Sequence, residues 1–357
     1  MLTQQLRSFY EGKRVLVTGH TGLKGAWLAL WLHRLGARVY GLALPPPSPL
    51  SVFSANGTDS FVDSEILDVR DPRKVRAAFE RIRPQVVFHL AAQAIVGVSY
   101  DEPAATFATN VLGTAHILDA IRAVGGVDVA VMITSDKCYE NVEQIWGYRE
   151  TDRLGGDDPY SASKAAAEIA IHCWRRSFFG KEGATRVASA RAGNVIGGGD
   201  WSTLRLIPDC IRSLRDGEAI RLRNPRATRP WQFVLEPLAG YMTLAARLTE
   251  NPSFASAWNF GPPVDNENTV EKGARSIIRQ WGSGSVELTG AQFHENSALQ
   301  LDCTKARHDL GWYTRLDFED TMRWTAAWYQ HQHTEKDGPM RVFSEQQLSD
   351  YEALIDA

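Results

Sequence analysis

Val15-Leu16-Val17-Thr18-Gly19-His20-Thr21-Gly22-Leu23-Lys24-Gly25 is the stretch on which the fold turns. Arg14–Thr18 is an apolar, β-branched run that reads as a buried strand, and Leu23–Leu35 carries the spacing of a helix. Between them Gly19, Gly22 and Gly25 stand three apart. Glycine permits a tight turn and close backbone approach, and the helix that follows turns its free N–H groups and positive dipole end toward an anion. A lone glycine triplet says little. Placed between a first strand and an amphipathic helix, it points to a turn that holds a pyrophosphate.

Working outward, strands are predicted at Arg38–Leu42, Gln85–Leu90, Val129–Thr134 and Arg186–Ala190. Helices are predicted at Pro72–Arg81, Ala105–Val124 and Tyr160–Phe178. Short apolar strands alternating with longer helices describe an α/β chain with a doubly wound parallel sheet, covered on both faces. The regularity breaks at the glycine-rich run Gly193–Trp201, beyond which short helices and strands alternate without clear order to about Tyr329. Residues 1–192 are expected to form the dinucleotide-binding domain, with a strand and helix near 228–250 returning to it. Residues 193–330 are expected to form a smaller mixed α/β lobe, and 331–357 a polar, partly helical tail.

Composition narrows the class. The 357 residues are 44% hydrophobic and 23% charged, with a formal net charge of -3, which gives no electrostatic footprint for nucleic acid. Cys138, Cys173, Cys210 and Cys303 form no C-x-x-C pair, so neither a zinc site nor a disulfide framework is expected. No metal is expected. The first residues carry no apolar signal segment, and no run is long enough to span a bilayer. The expectation is a cytoplasmic protein that takes a small molecule, with no nucleic acid and no membrane partner.

Tyr160-Ser161-Ala162-Ser163-Lys164 sets a phenol and an ammonium four apart at a helix start, hence on one face. A phenol is normally protonated, with a pKa of about 10; a neighbouring ammonium favours the phenolate and makes it a usable base for a hydroxyl. With the glycine turn before it and Ser135 at the end of the fifth strand, the set resembles that of the extended short-chain dehydrogenase/reductase family. The resemblance covers Gly12 to about Trp328, and it implies NAD as cofactor. Gly19, His20, Gly22, Leu23, Lys24 and Gly25 then form the cofactor turn. Asp68 matches the family's adenine contact, with Val69 beside it, and Leu90, Ala91, Ala92 and Gln93 match its cofactor-lining stretch. Asn110 matches its structural asparagine near the active site. One departure is that the second strand ends Val39-Tyr40-Gly41-Leu42-Ala43 with no acid for the ribose hydroxyl, so the sequence does not select NAD over NADP.

Ser135, Tyr160 and Lys164 account for oxidation and reduction; Asp136 and Lys137 add a second acid/base pair. Asp-Lys at this place resembles the nucleotide-sugar 4,6-dehydratases that act on CDP-glucose, where a C4 ketone acidifies the C5 proton and the C6 hydroxyl leaves as water. Asp136 is expected as the acid, and Lys137 as the C5 base or as a cation beside the enolate. On the substrate side the resemblance implies Asn194, Arg191, Trp201, Arg223, Asn224 and Arg229, with His294 and Glu295 as further candidates. Arginine suits phosphate because its planar fork binds two oxygens. Gly97 and Ala298 stand where similar proteins tend to carry Arg and Tyr. Dehydratases acting on UDP-N-acetylglucosamine with C5 inversion also have Asp-Lys, but their Tyr follows sooner, without the insert that carries Trp146–Glu150 here. A 4-epimerase would lack the second pair, and a dinucleotide-sensing module would lose Tyr160 or Lys164. The resemblance also implies a homodimer through the helices at Ala105–Val124 and Tyr160–Phe178.

Overall fold

Seven strands build the central sheet of the computed structural model, which describes residues 1–181, 184–263, 268–289, 299–335 and 340–357. In chain order they are β1 (Arg14–Thr18), β2 (Arg38–Ala43), β3 (Asp63–Ile66), β4 (Val86–His89), β5 (Val129–Ile133), β6 (Arg186–Ala192) and β7 (Ala257–Phe260). Neighbours are parallel throughout, in the spatial order β7-β6-β5-β4-β1-β2-β3. The doubly wound parallel sheet is therefore as expected. Side chains alternate between two cores along each inner strand: Val15, Val17, Phe88, Val131 and Ala190 face one, and Leu16, Val87, Ala130 and Met132 face the other. Strand order reverses between β1 and β4, which opens a crevice at their carboxyl ends where ligands of such sheets bind.

The predicted strands and helices fall within about two residues of the observed ends at most points. β3 and β7 are not among the predicted runs. Asp63-Ser64-Glu65-Ile66 is a half-exposed edge strand with little apolar pattern, and β7 is too short to stand out. The helix expected over Ala105–Val124 starts at Pro103 and carries a π-helical turn at Ala108–Leu112. Helix Leu235–Glu250 packs on β5 and β6, and its buried run includes Glu236 and Tyr241.

A smaller set of elements sits over the carboxyl ends of the strands. Val195–Ile196 pairs with Gln232–Phe233, and Ile220–Leu222 pairs with Val286–Leu288, both in parallel. Helices Leu206–Asp216 and Val270–Trp281 pack together beside them. The C-terminal segment is largely helical, with a buried stripe among its polar residues. Met340–Asp356 is a helix that buries Met340, Ser344, Leu348, Tyr351 and Ile355, a stripe diluted in the sequence by the polar residues between. Glu352 accepts a hydrogen bond from Trp31 Nε1 at 2.9 Å, and the Tyr351 hydroxyl donates to Glu236 at 2.6 Å.

Candidate active site

The glycine turn leaves no room for side chains at two of its three glycines. A Cβ on Gly25 would lie 2.1 Å from the Gly19 carbonyl oxygen, and one on Gly19 would lie 2.7 Å from the Ala91 nitrogen. Gly19 also has φ +74°, a conformation that costs other residues energy. Gly22 differs: a Cβ there meets only the Gly19 oxygen, at 3.5 Å, so the space beside it is open. Gly22 stands at the start of helix Leu23–Arg34 and lines the crevice. This cradle fits a pyrophosphate on the helix N-terminus. His20 departs from expectation. Its ring lies against Gly41 and Phe53, donates or accepts at Ser64 at 2.6 Å, and does not line the crevice. Burial lowers its pKa to about 4.

Gly19, Gly22, Leu23, Lys24 and Gly25 open onto one cavity of about 2040 Å3, together with Asp68, Val69 and Leu90 through Gln93. A pocket for one drug-sized ligand is roughly 300–1,000 Å3, so this space suits two ligands end to end. Asp68 is held by Arg70, which forks onto both carboxylate oxygens, and this contact lowers its pKa. Asn110 does not line the cavity and has a structural place beside it. It is buried in the π-helical turn and clamps the loop after β4, accepting from the Gln93 N–H at 2.9 Å and donating to the Gln93 carbonyl at 3.0 Å and Ser163 at 2.9 Å.

Ser135, Asp136, Lys137, Tyr160 and Lys164 all line the same cavity. Helix Pro159–Ser177 carries Tyr160 and Lys164; Asp158 caps it through the Ser161 N–H at 2.9 Å, and Pro159 occupies its first position. Ser99 Oγ accepts the Tyr160 N–H at 3.2 Å, which fixes the helix start against the loop after β4. Ser135 donates to Asp136 Oδ1 at 2.8 Å and accepts the Lys137 N–H at 3.2 Å. Burial pushes the Tyr160 phenol up to about 12, against the nearby Ser135 hydroxyl. It pulls Lys164 down to about 8, against the nearby Cys138 and Glu168. Asp136 is 4% exposed, and burial raises its pKa despite Lys137, Ser135 and Lys24. Lys24 is half-buried at the cavity wall, its ammonium 5.9 Å from the centre of the Tyr241 ring. Burial, then Lys164 and Arg205, lower it to about 7.

On the far side, Asn194, Trp201, Arg223, Asn224 and Arg229 line the cavity. The Asn194 carbonyl accepts the Gln232 N–H at 3.0 Å, and Arg229 donates to the Thr228 carbonyl at 2.8 Å. Arg191 does not reach the cavity. It is 3% exposed and bonds Glu168 at 2.8 Å and the Tyr139 hydroxyl at 2.7 Å. An arginine inside a parallel strand must find a buried acid, and Glu168 supplies one. His294 and Glu295 lie outside the described residues, as does Ala298. Gly97 faces Leu204, whose Cδ1 would lie 2.8 Å from a Cβ there, so Leu204 occupies the space next to it. Two residues escaped the sequence reading. Arg205, paired with Asp200 at 3.1 Å, adds a cation to the cavity wall. Glu168, four residues after Lys164 on the same helix, had a signal in that spacing.

The family described as GDP-mannose 4,6 dehydratase matches residues 16–325. A CDP-glucose 4,6-dehydratase of Salmonella typhimurium is 44% identical over 97% of this chain and 98% of that protein. A dTDP-glucose 4,6-dehydratase of Escherichia coli is 25% identical over 74% of this chain and 78% of its own length. Among solved structures, a dTDP-glucose 4,6-dehydratase of Streptomyces venezuelae with NAD bound superposes with a TM-score of 0.76 at 21% identity, covering 89% of this chain and 97% of that one. An epimerase of Methanothermobacter thermautotrophicus reaches 0.80 at 23% identity, covering 93% and 96%. The chain belongs to the GDP-mannose 4,6 dehydratase family, which bears out the resemblance carried by the glycine turn and the Tyr160/Lys164 pair. No helix among the described residues is long and apolar enough to cross a membrane.

Proposed function

We propose that this chain is an NAD-dependent CDP-glucose 4,6-dehydratase, converting CDP-glucose to CDP-4-keto-6-deoxyglucose and water. The observation that carries the reading is the placement of Asp136 and Lys137 beside Ser135, Tyr160 and Lys164 on one cavity with room for two ligands. The 44% identical relative of nearly equal length supports CDP-glucose as the substrate. The cradle of Gly19, Gly22 and Gly25 supports the dinucleotide.

When bound there, NAD would take hydride from C4 of the sugar and return it to C6. Tyr160 takes the O4 proton at its phenolate oxygen, which the Lys164 ammonium and the Ser135 hydroxyl stabilise. Lys137, at the cavity wall, takes the C5 proton. Asp136 gives its proton to the C6 hydroxyl, which leaves as water; burial, which raises its pKa, favours that acid form. Arg223, Asn224 and Arg229 face the diphosphate end, and Asn194 the sugar.

Residues 193–232 and 268–289 act as the substrate lobe over a dinucleotide domain that β7 and helix Leu235–Glu250 complete. The protein works as a cytoplasmic homodimer. Phe107, Leu112 and Ile169 are exposed on the two helices assigned to the two-fold contact, at 38%, 54% and 59%, and give that face an apolar character. The substrate is tested by incubating the protein and NAD separately with CDP-glucose, UDP-glucose, dTDP-glucose and UDP-N-acetylglucosamine, following the alkali-induced absorbance of keto-deoxy sugars. Preference for CDP-glucose supports the assignment; preference for another nucleotide moves the substrate and keeps the chemistry.

A further inference from the structure

The two oxygens of the Asp136 carboxyl have different surroundings. Oδ1 accepts the Ser135 hydroxyl at 2.8 Å and the Lys137 N–H at 2.8 Å, so both of its lone pairs are used. The proton that makes Asp136 an acid therefore sits on Oδ2, and Oδ2 is the oxygen that meets the C6 hydroxyl. Gly193 stands against that oxygen: a Cβ built there would lie 2.9 Å from Oδ2 and 3.5 Å from Cγ of Asp136. Pro230 closes the other side, its Cγ 3.3 Å from the same point. All three residues line the cavity. Gly193 lies between β6 and the strand Val195–Ile196, and Pro230 lies just before Gln232–Phe233, the strand that pairs with it. The Gln232 N–H donates to the Asn194 carbonyl at 3.0 Å and holds the two segments together.

The backbone does not call for glycine at this position, since Gly193 is not among the residues with positive φ. The contact with Asp136 does. A methyl at 193 would be hemmed between a carboxyl group and a proline ring anchored by the strand pairing that follows it. The carboxyl end is the softer of the two, and it can move only by stretching the bonds that Ser135 and Lys137 make to Oδ1. We propose that Gly193 is a positioning residue for the elimination step, leaving the space in which Asp136 presents Oδ2 to the sugar. In that step the Oδ2 proton passes to the C6 oxygen as the C6–O bond breaks, and water leaves. Lys137 takes the C5 proton, and the electron pair of the C5–H bond becomes the C5–C6 double bond. Oxidation at C4 uses Tyr160, Ser135 and Lys164 and makes no use of the Gly193 contact.

The inference rests on the dehydratase reading, and a second substrate separates the two. CDP-6-deoxy-6-fluoroglucose loses fluoride as an anion and needs no proton from Asp136. With CDP-glucose, Gly193→Ala holoenzyme is expected to form keto-sugar about 10- to 100-fold more slowly than wild type, with NADH building up on the enzyme in a single turnover. With the fluoro compound it should keep pace with wild type, and its NADH affinity in a fluorescence titration should be unchanged. Asp136→Ala removes the group that the new methyl would meet, so adding Gly193→Ala to that variant should slow its remaining activity no further. Equal slowing on both substrates, loss of NADH binding, or the same slowing in the Asp136→Ala background would overturn the assignment and leave the dehydratase in place. A wild type that forms no keto-sugar from either compound would remove both.

Discussion

The Glu168 carboxylate and the Arg191 guanidinium meet at 2.8 Å in the interior, away from the cavity that Tyr160 and Lys164 line. Glu168 stands on the helix of Tyr160 and Lys164, and Arg191 on β6. The carboxylate also accepts from Ser189 at 2.8 Å and from Thr134, the residue before Ser135. Arg191 in turn bonds the Tyr139 hydroxyl, just beyond Lys137. The pair ties the helix of Tyr160 to both ends of the Ser135–Lys137 segment and so holds those side chains in one arrangement.

Breaking that pair should destabilise the fold. Glu168→Gln leaves the Arg191 charge buried and unpaired, a loss on the order of 3–5 kcal/mol, measurable by urea unfolding. Replacing both, as Glu168→Leu with Arg191→Met, should cost less than Glu168→Gln alone. Burial raises the Glu168 pKa, but Arg191 and the bonds from Thr134 and Ser189 outweigh it, and the net shift is downward. The pair's contribution is thus complete above the ordinary value of 4.5 and is lost as pH falls through the lower folded value.

Two buried histidines should add to acid sensitivity. Burial lowers His20 to about 4 and His89 to about 3, so the folded protein binds fewer protons than the unfolded chain below 6.5. Stability should fall as pH drops from 6.5 toward these values, and unfolding midpoints in urea across that range measure it. A flat profile would show that the two rings accept protons in the folded state.

Two glycines of the turn should separate by their surroundings. Gly25→Ala drives a methyl into the Gly19 carbonyl and should lower the melting temperature and abolish NADH binding. Gly22→Ala has internal room, so its stability should hold while NADH affinity drops about tenfold or more in a fluorescence titration.

Asp136→Asn removes the acid and leaves the oxidising set in place. Its kcat should fall about 10²- to 10⁴-fold, with nucleotide-sugar affinity held within a few-fold. Normal turnover by this variant would assign the acid elsewhere.

Leu112→Asp combined with Ile169→Asp places charge on the proposed two-fold face. Sedimentation should show wild type as a dimer and the double variant as a monomer. A monomeric wild type at micromolar concentration would remove the dimer.

The sheet, and the side chains that share its cavity, were legible because both depend on local chemistry. A parallel strand buried on both faces reads as an unbroken apolar run, and the glycine turn and Tyr160/Lys164 follow from spacing along single elements. Arg191 was misread because its sequence context, a strand before a glycine-rich loop, looks the same whether the side chain reaches the cavity or Glu168. Its partner lies 23 positions earlier in the chain, and only the packing of helix on sheet brings them together. His20 failed likewise: Gly41, which makes room for its ring, belongs to the next strand. The packing of the C-terminal helix was not legible, because a thin apolar stripe among Glu, Gln and Asp residues is also what a solvated helix can carry.

The central claim is that one sugar passes through oxidation at C4, loss of water and reduction at C6 on a single set of residues. CDP-glucose carrying deuterium at C4, incubated with the holoenzyme and followed by NMR, tests it most directly. The account predicts a 4-keto-6-deoxy product with the deuterium at C6. Deuterium remaining at C4 of an epimerised sugar would contradict it.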